Sequence, residues 1–153
     1  METKISVTQS IEMTMSALVM YWKRYFEQSM KEYSIRTVTM GAVLYSSFLH
    51  EGLVQDDIGK RLNMDKAYVT RELNSLARLG YIVREKDVVD HRKNHIMVTP
   101  AGKKAAMAID KCRKNWIEAE FTGIDEKERE VFLGILSKMV GNLKEKLFSG
   151  VAE

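Results

Sequence analysis

The chain has 153 residues, of which 45% are hydrophobic and 29% charged, and its formal net charge is +3. This composition is typical of one globular domain, and the single proline and nine glycines exclude a long linker or a low-complexity tract. No apolar run is long enough to cross a bilayer, the N-terminus lacks a secretion signal and the single cysteine, Cys112, forms no internal disulfide, so we expect a cytoplasmic protein without a membrane partner.

Helical periodicity and end signals predict four helices in the first half of the chain. They span about 8–33, 37–51, 55–62 and 66–79. Thr37 or Thr39 caps the second helix and Gly52 follows it. Asn63 suits a left-handed turn after the third helix, and Asp65 caps the fourth, which Gly80 ends. The apolar face of the first helix is wider than its own domain requires, which favours a further partner surface.

After the fourth helix the pattern changes from helical to extended. Two β-rich runs flank a loop full of charge and predict a hairpin; they span 81–83 and 96–98. Thr99 caps a fifth helix with Pro100 at its first position, Gly123 ends that helix, and Asp125 with Glu128 forms the capping box of a sixth. The predicted fold class is mainly α with a small β-hairpin wing, in the order α-α-α-α-β-β-α-α, which is a winged helix-turn-helix between long terminal helices.

The central segment is basic and its flanks are acidic. Residues 60–104 hold eleven Lys and Arg but five Asp and Glu, a local charge of +6 that leaves −3 for the rest of the chain. Such an asymmetry indicates a polyanion partner for the centre.

The fourth helix has two chemically different sides. An apolar stripe is expected to anchor it in the domain: Val69, Leu73, Leu76 and Leu79. The other side is expected to meet DNA and carries Lys66, Ala67, Tyr68, Thr70, Arg71 and Asn74. Arg71 can bond bidentately to guanine, Thr70 can meet a base edge or a thymine methyl, and Lys66 suits a phosphate.

The charged hairpin loop over residues 86–94 predicts a second contact with DNA. Arg92 at its tip can enter a narrow minor groove, where the negative potential is strongest. Asp90, two residues earlier, is expected to brace the Arg92 guanidinium, and Lys86 and Lys93 to contact phosphates. A solvated hairpin tip with a weak surface ion pair would explain the loop equally well.

Residues 53–104 resemble the MarR family of bacterial and archaeal transcription regulators. The matching stretch reads LVQDDIGKRLNMDKAYVTRELNSLARLGYIVREKDVVDHRKNHIMVTPAGKK. The family pattern is L-T-Q-x-x-L-A-x-x-L-x-x-D-K-S-T-V-T-R-x-x-x-x-L-x-x-x-G-x-x-x-R, followed by D-x-R in the wing and L-T-x-x-G after it. Departures occur at Val54, at Gly59 and at Ala67 and Tyr68, and the bulk of Tyr68 indicates a different base preference.

The resemblance implies a homodimer, with one domain over 1–153 per subunit. Terminal helices over 6–34 and 100–149 would interlock, while each winged lobe, 37–99, binds half of a near-palindromic operator. The two recognition helices would lie about 34–36 Å apart, one DNA turn. The family also implies a ligand-responsive repressor with a small aromatic effector. Its candidate pocket residues are Trp22, Tyr25, Tyr45 and Trp116, each of which is individually more typical of a core.

We therefore expect a sequence-specific regulator that binds double-stranded DNA. Two other functions fit the same elements: a winged-helix protein–protein interaction module whose wing docks an acidic partner, and a non-specific architectural DNA binder. No enzyme motif, cofactor or metal site is predicted, since His91 and His95 lie four apart on a loop without further ligands. Cys112 is expected to be a buried structural thiol rather than a redox sensor.

Overall fold

A computed structural model describes residues 6–88, 90 and 93–148 of the chain. Its elements are α1 (Val7–Ser29), a 3-10 turn (Lys31–Tyr33), α2 (Val38–Leu49), α3 (Gln55–Leu62), α4 (Lys66–Arg78), β1 (Ile82–Lys86), β2 (Asn94–Val98), α5 (Pro100–Glu120) and α6 (Glu126–Phe148). The predicted fold class, six helices around one hairpin, is confirmed. The chain divides into two compact units, residues 1–114 and 115–153. Within the described ranges, no helix has both the length and the apolarity that a bilayer crossing requires.

Capping side chains begin three helices of the first unit at the positions that the sequence predicted. Thr37, Asp65 and Thr99 each accept a hydrogen bond from the backbone N–H three residues further on, at 3.0, 2.7 and 3.0 Å. These bonds satisfy helix-end donors that would otherwise lack a partner. Asn63, with φ 51°, adopts the left-handed conformation expected between α3 and α4.

The first helix is shorter than its apolar spacing predicted. α1 ends at Ser29, and the 3-10 turn after it leads to Ser34 with φ 54°. Phe26 and Met30 are nevertheless buried, and Tyr33 packs against the same core. The apolar spacing thus continues through the end of the α-helix because these side chains reach the core from both the helix and the turn.

The hairpin is longer than its apolar runs predicted, and a third backbone segment extends it. β1 and β2 pair antiparallel along their whole length, so Lys86 lies on a strand rather than in the loop. The outer part of β1 faces water and carries polar residues, which removes the apolar signal. On the other side of β2, Val54 forms a bridge with His95, and the Ile96 N–H donates to the Leu53 carbonyl at 3.0 Å.

The core of the first unit draws one or more buried side chains from every element that surrounds α4. It includes Phe26, Leu44, Ile58, Leu73, Ile96 and Ile109, each less than 2% exposed. Leu79, the fourth member of the predicted anchoring stripe, is 37% exposed because it is the C-cap residue, where α4 ends. Cys112 is buried as expected, and burial raises the pKa of its thiol, which disfavours the reactive thiolate.

The second unit holds the end of α5 and the whole of α6. Gly123 has φ 78° between the two helices. The predicted capping box is present, since the Asp125 N–H donates to Glu128 and the Glu128 N–H to Asp125, both at 2.9 Å. Large apolar side chains are exposed along α6: Val131, Phe132, Leu133, Ile135, Val140 and Leu143.

We predict that Gly102→Ala lowers the free energy of unfolding by about 1–3 kcal/mol. Gly102 is buried in the first turn of α5, where an added Cβ would collide with the Tyr81 carbonyl oxygen and lie 2.8 Å from Val98 Cγ1. Gly134→Ala is the matched control, because a Cβ there meets nothing within 4 Å and alanine favours a helix. Urea unfolding should show a loss for the first variant only, and a Gly102→Ala protein as stable as wild type would contradict this packing.

Candidate nucleic-acid interface

The helix α4 is anchored on one side and open on the other. Val69, Leu73 and Leu76 are completely buried. The residues of the opposite side reach solvent, with Lys66, Ala67, Arg71 and Asn74 exposed and Tyr68 and Thr70 half-buried. All six α4 residues that the sequence singled out for DNA therefore lie together on one accessible surface.

Tyr68 supports the arginine that follows it by one turn. The Arg71 guanidinium lies over the Tyr68 ring, 4.4 Å from its centroid, which is the geometry of a cation–π contact. Such a contact holds the planar guanidinium in one orientation while its N–H groups stay available. Both residues were predicted for the interface, but their contact was not.

The hydroxyl of Thr70 is occupied by partners inside the protein. It donates to the Lys66 carbonyl and accepts from Gln55 Nε2, at 2.6 Å in both bonds. The single proton of Thr70 is thus committed, and its methyl group is the part best able to meet a partner. Gln55, in α3, was not predicted as a site residue, although it occupies the glutamine position of the family pattern.

Two grooves border α4, and both are lined with arginine. The groove toward the hairpin is lined by Ala67, Thr70, Arg71, Asn74, Ala77, Arg78 and Arg84. Arg84, on β1, donates to Asn74 Oδ1 at 2.7 Å and so links the wing to α4. The groove on the other side includes Arg36 beside Arg71, Arg78 and the buried Glu72. Neither Arg36 nor Arg84 was predicted as a site residue. Arg84 is the last residue of the family pattern, whereas Arg36 carries no such signal.

The charged residues at the rim carry weak ion pairs. Lys66 Nζ lies 3.1 Å from Asp56 and Lys93 Nζ lies 3.7 Å from Asp90, and all four side chains are largely exposed. Exposed pairs of this kind contribute little, so the lysines remain available to a stronger anion. Lys86 is exposed on β1.

Arg92, predicted for the tip of the wing, and His91 lie outside the residues that the structure describes. The proposed minor-groove contact of Arg92 therefore stays a prediction, as does its bracing by Asp90. The backbone of Asp90 is bonded to the base of the loop, since the Asp90 N–H donates to Asp87 Oδ1 at 2.8 Å.

A cleft of about 440 Å³ in the first unit brings together two of the four residues predicted for an effector pocket. Trp22 and Tyr45 line it, together with Phe26, Arg61 and Arg113. Tyr25 stacks on Trp22, with ring centroids 6.4 Å apart, but does not line the cleft. The fourth residue, Trp116, belongs to the second unit.

Polar contacts hold the phenol at the wall of this cleft. The Tyr45 hydroxyl donates to Asp110 Oδ1 at 2.8 Å, and this bond raises the pKa of Tyr45 and keeps it protonated. The Lys114 ammonium, 2.7 Å from Asp110, and then the Tyr45 hydroxyl hold the pKa of that carboxyl below its usual range. Arg113 lies over the Tyr45 ring, 4.9 Å from its centroid. The cleft thus joins aromatic walls to cationic groups.

No metal site is evident among the residues that the structure describes. In the ranges 6–88, 90 and 93–148, no three His, Cys, Asp or Glu side chains are grouped so as to hold an ion.

Comparison with known proteins gives the same family by sequence and by structure. The family model described as "MarR family" matches residues 49–93, which include α3, α4 and β1. The transcriptional repressor YetL of Bacillus subtilis is 32% identical over 91 residues, 60% of this chain. That segment spans about half of YetL, 52% of its length.

Two solved structures match nearly the whole chain. A MarR transcriptional regulator from Methanosarcina mazei Go1 has a TM-score of 0.74 and 25% identity, over 89% of this chain and 98% of its own. The MepR–DNA complex of S. aureus has a TM-score of 0.78 and 25% identity, over 91% and 99%. The fold, the helix-turn-helix match and the repressor relative agree, and the proteins that they match are transcription regulators rather than enzymes. By sequence over residues 49–93, and by fold over nearly its whole length, the chain is similar to the MarR family of transcription regulators.

Proposed function

We propose that this chain binds double-stranded DNA sequence-specifically as a cytoplasmic homodimer and represses transcription from a near-palindromic operator. The observation that carries the proposal is the two-sided α4, whose buried leucines anchor a surface of Arg71, Tyr68, Thr70 and Asn74. A recognition helix needs this division, because one side must stay in the domain while the other enters the major groove. The repressor YetL and the DNA complex of MepR support the proposal.

Each side chain of the interface has a role that its contacts favour. Arg71, held over Tyr68, is oriented to bond bidentately with a guanine edge. Thr70 presents its methyl group, which suits the methyl of thymine. Three lysines suit backbone phosphates: Lys66, Lys86 and Lys93. Arg36 and Arg84, in the two grooves, are further candidates. Arg92 is assigned to the minor groove on the sequence alone.

The proposed dimer rests on apolar surface that the single chain leaves uncovered. Ile11, Met15, Leu18 and Val19 are exposed on α1, and α6 carries its own exposed apolar residues. Apolar faces of this extent usually mark an interface. We assign dimerisation to residues 6–34 with 100–149 and DNA binding to 37–99, within a single domain over 1–153.

Selection of duplexes from a random pool tests this proposal. We predict two half-sites about 10–10.5 base pairs apart, because the recognition helices of a dimer meet successive major grooves. The dimer would also make six lysine–phosphate contacts. A plot of the logarithm of the binding constant against the logarithm of the salt concentration should therefore have a slope of about −5. Binding without sequence enrichment would instead favour an architectural DNA binder, and no duplex binding would favour a protein–protein module.

Arg71→Ala should weaken binding to the selected duplex by about 1–3 kcal/mol and relax the preference at one base pair. The cause is the loss of a bidentate contact, while the fold keeps its buried stripe. Lys138→Ala, which removes an exposed cation outside the DNA-binding segment 37–99, is the control and should leave the preference at every base pair as it is in wild type. Titration of both variants with selected and mismatched duplexes measures the effect, and an Arg71→Ala protein with unchanged specificity would remove Arg71 from the reading surface.

We further propose that the cleft beside Tyr45 binds a small aromatic anion that lowers operator affinity. Trp22 and Phe26 supply aromatic walls, and Arg61 and Arg113 supply cations. Calorimetry against aromatic acids should show binding that Arg113→Ala weakens by about tenfold or more, since a hydrogen bond to a charged group is worth about 1.5–3 kcal/mol. Lys111→Ala, an exposed residue of the same helix outside the cleft, should leave it unchanged. No binding by the whole panel, with operator affinity unchanged, would contradict effector control.

A further inference from the structure

A histidine links the wing to the segment before α3. His95, on β2, has Nδ1 2.6 Å from the Gly52 carbonyl oxygen and Nε2 2.7 Å from Asp87 Oδ2. Gly52 precedes α3, while Asp87 follows β1 at the base of the wing loop. One imidazole ring therefore bonds directly to two segments that backbone pairing connects only through β2.

Both partners of the ring can only accept hydrogen bonds. A backbone carbonyl has no proton, and a carboxylate at neutral pH has none. Neutral imidazole has a single N–H and can satisfy only one of them, which leaves a lone pair of the other nitrogen facing an oxygen. Both short contacts are favourable together only when His95 carries a proton on each nitrogen, as an imidazolium.

The charges around His95 favour that same state. Asp87 bonds to the ring, and Glu85 is its cross-strand partner on β1. On the other side, the segment before α3 contributes Gly52 and Val54, which carry no charge, and the neighbouring Glu51 pairs with Lys103. The hydrogen bond to Asp87, followed by the bond to Gly52, raises the pKa of His95 above its ordinary value.

Asp87 passes the connection on to the wing loop. Its Oδ1 accepts from the Asp90 N–H at 2.8 Å, and its own N–H donates to the Lys93 carbonyl at 3.1 Å. The Lys93 N–H in turn donates to the Asp90 carbonyl at 2.8 Å. The placement of the loop base thus depends on the Asp87 side chain, which His95 holds.

We propose that protonated His95 is the positioning residue of the wing, clamping Asp87 to the segment before α3 so that the loop is oriented for DNA. The inference rests on the proposed DNA-binding function, because it assigns the wing a role in gripping the duplex. It adds a pH dependence: the clamp is complete below the ordinary pKa of histidine and is lost as the pH rises through the raised pKa of His95.

The test uses a protein in which His95 is the only histidine. The chain has three, so the His50→Gln/His91→Gln variant serves as the reference. The affinity of this reference protein for the selected duplex is measured at constant ionic strength from about pH 5.5 to 9. The affinity should fall by roughly fivefold or more as the pH rises, which is the lower end of typical coupling between sites. Adding His95→Gln should weaken binding at low pH and leave it independent of pH.

Asp87→Asn separates a clamp from simple electrostatics. Removing an acid near DNA should strengthen binding if charge alone matters. The clamp predicts the opposite: weaker binding at low pH, with the pH midpoint moved downward as His95 loses its anionic partner. Tighter binding by Asp87→Asn, or an unchanged pH profile after His95→Gln, would overturn the proposal.

A measurement without DNA keeps the two proposals distinguishable. The ring signals of His95, followed by NMR in the reference protein, should titrate above about 6.5 and move toward that value in Asp87→Asn. A His95 pKa at or below the ordinary value would overturn the clamp whatever the DNA result. A raised pKa with specific duplex binding that does not vary with pH would overturn its role in positioning the wing. Absence of duplex binding at every pH would instead contradict the proposed function.

Discussion

The burial of Val69, Leu73 and Leu76 is the constraint on which the interface depends. Each fully buried side chain of this kind contributes about 1.5–3 kcal/mol, and truncating a buried leucine to alanine costs about 2–5 kcal/mol. A bidentate arginine–base contact is worth about 1–3 kcal/mol. Rotating α4 to present a different side would therefore cost more free energy of folding than one arginine–base contact contributes to binding. The core, rather than the ligand, therefore determines which residues face outward.

The outward side is held in place before any partner arrives. Gln55 bonds to Thr70, Tyr68 supports Arg71, and Arg84 bonds to Asn74. Side chains that are already ordered cost less to immobilise on binding, so more of each contact is realised as affinity. The same logic extends to the wing, whose base is tied to the segment before α3 through backbone pairing and through His95.

The sequence predicted the element order and the outward side of α4 because both depend on local spacing and on end signals. Periodicity located the helices, and Thr37, Asp65 and Thr99 marked their starts. It did not predict the end of α1 at Ser29, since apolar spacing is the same whether side chains reach the core from a helix or from a turn. The sequence also did not predict the outer ends of β1 and β2, because the polar residues there give no apolar alternation.

Contacts between residues distant in sequence were beyond such reasoning. Tyr45 and Asp110 are 65 positions apart, and His95 and Gly52 are 43 apart. Arg36 joins the groove beside α4 only through the packing of the start of α2. Of the expected pocket residues, Trp22 and Tyr45 share a cleft, and no local pattern separates them from Tyr25, which packs behind.

NMR shift mapping of the 153-residue chain with the selected duplex tests most directly whether the outward side of α4 is the surface that binds DNA. We expect the largest changes at Ala67, Arg71 and Asn74, with arginine Nε–H signals shifted where guanidinium groups meet bases. The buried Leu73 and Leu76 should change far less. Large shifts confined to surfaces away from α4 and the wing, with Ala67 and Arg71 unperturbed at saturation, would contradict the assignment of this helix to the major groove.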